Sequence, residues 1–297
     1  AYEFPQMTLR ILKTSAAHLL DYLSKLTSPM LFVPIAQIFD QKLADAVMKT
    51  LTTEHANIPE AASNRLLRSS SLMSLPTSLG GGGMLSTASR APAAFAIAIM
   101  TAAGSRCVRE FRFALEPEAR GAHDMLLKSL GVTAIASGHP LSSIIPPDPL
   151  DMVCGRFANR FNTTSSKSTA FATVTSMVFQ RQQKMLIKAT MAHVNASPPS
   201  ANQPDLTHVL NLTLRSQATR VLCASLWYEN NSIEADTFRM WARQYFCLPL
   251  TGAPSHEAER SDCDIYTAPC KHRRCDAQHK MFDHNGIHAA CCSLACA

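Results

Sequence analysis

Apolar residues recur at helical spacing along most of the chain. Between residues 7 and 26, Leu9, Leu12, Ala16, Leu19, Leu20, Leu23 and Leu26 alternate with Arg10, Lys13, Asp21 and Lys25, which predicts one amphipathic helix. Pro29 and Pro34 are expected to break it, and a second helix is predicted over about 34–52 with Ile38, Phe39, Leu43, Val47 and Leu51 as its apolar stripe. Residues 53–90 are rich in Ser, Thr and Gly and include the run Gly80 to Gly83, so they read as a loop. Helical patterns return over about 91–104 and 116–130, the latter closed by Gly131 as a C-cap. The four prolines of residues 137–151 predict a linker or an extended wrap.

Beyond this segment the pattern gives a long helix over about 166–194, another over about 205–226, and a third over about 234–246. The last carries Phe238, Trp241 and Tyr245 and stops before Pro249. Alternation with a period of two is scarce. The fold class expected is therefore mainly α: a helical region over 1–136, a Pro-rich linker over 137–151, a second helical region over 152–254, and a distinct tail over 255–297.

Composition sharpens that last boundary. Of the ten cysteines six, and of the eleven histidines five, fall within residues 255–297, a stretch with little apolar periodicity that needs something other than a core to organise it. Four residues lie between Cys270 and Cys275, three between His288 and Cys292, and twelve between the two pairs. Two short-spaced pairs joined by a loop of that size suit a tetrahedral zinc ion, with Cys291 competing with Cys292 as fourth ligand. Gly286, in the turn Asp283-His284-Asn285-Gly286, can take a positive φ and swing His288 inward. Disulfides are the rival reading, disfavoured because no secretory signal is seen.

Lys271, Arg273 and Arg274 sit inside the first cysteine pair, where a rigid knuckle would present them to phosphates. The competing reading is a solvated basic loop, since Glu257, Glu259, Asp262, Asp264, Asp276 and Asp283 lie nearby. The net charge of +6 is compatible with RNA or DNA without requiring either. Cys107 and Cys154 lack local partners and read as buried structural residues. His18, His123, His193 and His208 lie in helical segments and read as surface or satisfied core histidines.

Several catalytic signatures are missing. No two aspartates are adjacent, so the metal-binding carboxylates of a polymerase palm have no obvious home. Met84 and Leu85 follow the glycine run where a phosphate-binding loop needs Lys and Ser/Thr, and no G-x-S-x-G elbow occurs. No apolar run reaches membrane-spanning length, and the N-terminus carries no export signal. The chain is expected to be nuclear or cytoplasmic, and its start at Ala1 reads as a piece of something longer. The four N-x-S/T triplets, at Asn162, Asn195, Asn211 and Asn230, then read as chance.

Four segments, taken in order, resemble the region after the palm in reverse transcriptase-like proteins of non-LTR retroelements. They are LRILKTSAAHLLDYLSKL with Pro29, Pro34 and FDQKLADAV; LPTSLGGGGMLSTASRAPAAFAIAI (75–99); ADTFRMWARQYFCLPLTGAP (235–254); and FDHNGIHAACC (282–292). The resemblance implies a helical thumb-and-linker region closed by a zinc knuckle of Cys270, Cys275, His288 and Cys292. It favours Cys292 over Cys291, because the knuckle pattern Asp-x-x-Gly-x-His-Ala-x-x-Cys ends there. It also implies a non-catalytic nucleic-acid-binding region of an RNA-directed DNA polymerase whose palm lies upstream. Met84, where Leu is usual, and the irregular spacing before Cys270 fit a divergent or decaying copy. A helical protein-interaction module with a purely structural zinc site is the alternative expectation.

Overall fold

The computed structural model describes residues 4–51, 70–105, 110, 112–136, 138–155, 158–161, 163–196 and 235–246. These are mainly helical, with no strand among them. In order they form α1 (Pro5–Thr14), α2 (Leu23–Leu26), α3 (Pro29–Leu51), α4 (Thr87–Ala102), α5 (Arg112–Leu130), α6 (Thr164–Ala196) and α7 (Ala235–Tyr245), with short 3₁₀ turns between them. No helix among the described residues is long and apolar enough to cross a membrane. The described residues gather into two compact units that do not follow chain order. One comprises 13–43 and 84–184, and the other comprises 4–12, 44–51, 70–83, 185–196 and 235–246.

In the first unit α4 is the central element. Ala91, Ala93, Ala94, Phe95, Ala96, Ile97, Ile99 and Met100 are all buried, so the helix is enclosed on nearly every side. Its small residues let α2 and α5 approach closely. α5 contributes Ala119, Ala122, His123, Leu126 and Leu127, the spacing of one helical face. α6 adds Ala170, Val174 and Val178 at successive turns. The proline-rich segment takes the form of a wrap: Leu141, Ile145, Met152 and Val153 are buried against this core. Buried His123 fastens it by donating from Nε2 to the Pro146 carbonyl at 3.0 Å.

Several expected boundaries move. The helix expected over 7–26 is interrupted: α1 ends at Thr14, a 3₁₀ turn spans Ala16–His18, and α2 begins at Leu23. The interruption is held from a distance, because Arg90 Nη2 donates to the Ala17 carbonyl at 3.1 Å and pairs with Asp21 at 2.8 Å. A carbonyl that accepts from a buried guanidinium needs no intrahelical donor.

The preceding helix ends at Leu26, before Pro29, as expected, but Pro29 opens α3 as its first residue and Pro34 lies inside it, so α3 starts earlier than residue 34. A proline suits the first position because that N–H has no helical partner, whereas Pro34 forfeits one backbone bond. The buried stripe of α3 is Phe32, Ala36, Leu43, Val47 and Leu51, while Ile38 faces outward.

The segment 53–90 is not a loop throughout. Residues 70–74 form a helical turn, Thr77–Leu79 a 3₁₀ turn, and α4 already begins at Thr87. Gly131, at φ 71, closes α5 as expected, with Val132 donating back to the Leu127 carbonyl at 3.1 Å.

The second unit is organised around the glycine run. Gly80 and Gly83 adopt φ of 79 and 78, which lets the chain double back under the buried Leu72, Met73 and Leu75. Gly81 admits no side chain, because a Cβ there would lie 2.3 Å from the Leu75 carbonyl oxygen. α7 packs here through Phe238, Ala242, Tyr245 and Phe246, all buried, with the last two rings edge to face at 5.2 Å. The helix predicted over 205–226 lies outside the described residues.

Candidate functional site

Two polar clusters among the described residues tie distant segments together, and both are built to close on themselves. In the first unit the Asp40 carboxylate caps α4. It accepts from Ser86 Oγ at 2.7 Å, the Thr87 amide at 2.9 Å and the Ala88 amide at 3.0 Å, while Ser86 Oγ accepts from the Ser89 amide at 3.1 Å. These amides at the start of α4 have no helical acceptor, and a carboxylate is also favoured there by the helix dipole. One turn further on, Arg90 is 5% exposed and runs to Asp21 and the Ala17 carbonyl, and Asp21 accepts in addition from His18 Nδ1 at 2.8 Å. Apart from Arg90 Nε and Thr87 Oγ1, this network is satisfied from within.

In the second unit, each glycine amide of the run is engaged. Gly80 donates to Thr77, Gly81 to Pro76, Gly82 to Leu72 and Gly83 to Leu75, over 2.8 to 3.1 Å. A phosphate-cradling loop needs those N–H groups free and convergent, so this turn cannot serve as one. Tyr245 Oη donates to the Gly80 carbonyl at 2.6 Å, and Arg243 Nε to the Leu51 carbonyl at 2.8 Å. The motif residues of the described segments therefore hold caps and turns.

Among the described residues, α6 presents a long basic surface. It runs for 33 residues without one Asp or Glu and carries Lys167, Arg181, Lys184 and Lys188. Arg181 is engaged at the end of α5, where Nη1 donates to the Lys128 carbonyl and to that of Ser129 at 2.8 Å. Ser176, Gln180, Lys184 and Lys188 stand at successive turns and are all exposed, a polar ridge that ends in two cations. Ser168, Thr169, Ala172 and Thr173 line a shallow open depression toward the start of the same helix.

The residues expected to bind metal, Cys270, Cys275, His288 and Cys292, lie outside the described residues, as do Cys291 and the expected phosphate contacts Lys271, Arg273 and Arg274. Among the described residues no three His, Cys, Asp or Glu side chains come together as a metal site. Cys154, expected to be buried, is exposed: it sits in the bend before Gly155, at the edge of the core rather than within it. His123 is a satisfied core residue and His18 a half-exposed one bonded to Asp21. His193, His208 and Cys107 lie where no side chain is described. The acid-free character of α6 is visible in composition, and the closure of the glycine turn only in three dimensions.

No protein-family model matches the chain, and no curated protein or solved structure matches it either.

Proposed function

We propose that this chain is a non-catalytic nucleic-acid-binding region of a retroelement reverse transcriptase/endonuclease protein, lacking palm and nuclease active sites. The observation that carries the reading is α6. A helix of 33 residues with no acidic side chain, and with Lys167, Lys184 and Lys188 beside the engaged Arg181, attracts a polyanion. Its exposed Lys184 and Lys188 lie one turn apart, about 6 Å along the axis, among hydroxyl and amide side chains that also bond phosphate and sugar. Such contacts position a strand without reading its bases. The closed polar clusters support a scaffold role for the described motifs, since they offer little free chemistry to a substrate. In this reading zinc holds Cys270, Cys275, His288 and Cys292 together and the tail adds Lys271, Arg273 and Arg274 to the phosphate contacts.

The test is fluorescence anisotropy of a labelled RNA or DNA oligonucleotide titrated with the full chain. Binding is expected, and Lys184→Glu with Lys188→Glu weakens it by roughly thirtyfold or more, at about 1 kcal/mol or more per reversed contact. Equal affinity of the double variant, or no binding by the parent chain, contradicts the reading.

A further inference from the structure

The N-terminal half of α3 is apolar on both sides. Phe32 and Ala36 are buried, yet Leu31, Ile35 and Ile38 on the opposite side are 69%, 58% and 65% exposed, and Pro34 between them is exposed as well. At 100° per residue these four fall on one continuous stripe. The preceding turn and α2 extend the exposed apolar surface with Tyr22 and Leu26. A helix that is apolar all round is ordinarily enclosed, so a continuous stripe this open calls for a cover.

We propose that a second copy of this chain covers it, and that the protein is a homodimer built on α3. Two features favour a copy of itself. Residues 26–39 contain no charged side chain, so a two-fold contact through this stretch brings no like charges together. The six side chains offer several hundred Å², at the upper end of what monomers leave bare and close to the roughly 800 Å² that each partner contributes to a standard interface. This inference is independent of the nucleic-acid reading.

Sedimentation velocity of the full chain over a wide concentration range tests it. The expected result is a monomer–dimer equilibrium for the parent chain and a monomer for the variant Leu31→Glu with Ile35→Glu. Both side chains already face solvent, so circular dichroism of the variant should keep the parent's helical signal. A monomer at every concentration, open-ended association, or a dimer that persists in the double variant overturns the proposal.

Discussion

Asp40 and Ser86 stand 46 positions apart in sequence and meet through a 2.7 Å hydrogen bond at the start of α4. The bond joins the middle of α3 to the cap of the most buried helix, and two further amides converge on the same carboxylate. One short side chain therefore fixes where α4 begins and how α3 lies beside it.

Removing it should be felt in stability. Asp40→Ala is expected to destabilise the chain by about 1–2 kcal/mol, the usual cost of losing a helix cap. Asp40→Asn, which keeps one acceptor oxygen, should lose less. Urea unfolding followed by circular dichroism reads both; an unchanged midpoint for Asp40→Ala would contradict the role assigned to the carboxylate.

Arg90 and Asp21 form the second long-range device, and their two halves should not be equivalent. Asp21→Asn leaves a buried guanidinium without its counter-charge and is expected to cost about 2–3 kcal/mol, below the full value for a buried pair because Asp21 is partly exposed. Arg90→Met removes the buried charge along with its bonds and should cost less than Asp21→Asn. The reverse order in a denaturant series would place the energetic weight of the pair elsewhere.

Two glycines separate close backbone approach from mere smallness. Gly81→Ala drives a methyl into the Leu75 backbone and is expected to abolish the native packing of α7, seen as loss of the near-ultraviolet signal of Tyr245 and its neighbours. Gly121 lies within α5, and its added methyl meets only the flexible Met30 side chain at 3.1 Å. Gly121→Ala gains up to about 1 kcal/mol of helix propensity against a small rearrangement, so its unfolding midpoint should hold or rise.

The tail is expected to carry one zinc ion per chain. Cys270→Ser, Cys275→Ser, His288→Ala and Cys292→Ser should each release it, whereas Cys291→Ser should retain it. Lowering the pH should release it too, because protonated thiols and imidazole do not ligate. Metal analysis of the purified variants decides this; a metal-free parent chain, or zinc lost with Cys291 and kept without Cys292, would overturn the ligand set.

The helices were legible wherever local pattern and tertiary environment agree. α6 matches its expected span to within about two residues at each end, the ordinary uncertainty of helix limits. Gly131 ends α5 as its position suggested. What pattern could not show was the work of distant partners. Arg90, about seventy positions on, holds the turn after α1, and Asp40 starts α4 earlier than its apolar run implies. The glycine run read as open loop because its acceptors, the carbonyls of residues 72 to 77, become visible only once the turn is folded. The stripe of α3 was misplaced at Ile38 because both sides of that helix are apolar, and periodicity has no way to choose between two apolar faces. Of the candidate site, the ridge on α6 was legible as an absence of acidic residues, while the cysteine and histidine pairs lie outside the described residues.

The salt dependence of nucleic-acid binding tests the central reading most directly. If Lys184, Lys188, Lys271, Arg273 and Arg274 hold phosphates, the logarithm of the binding constant falls linearly with the logarithm of salt concentration, with a slope of about −3 to −4 on a single strand. A flat dependence, or binding too weak to measure even at low salt, would contradict it.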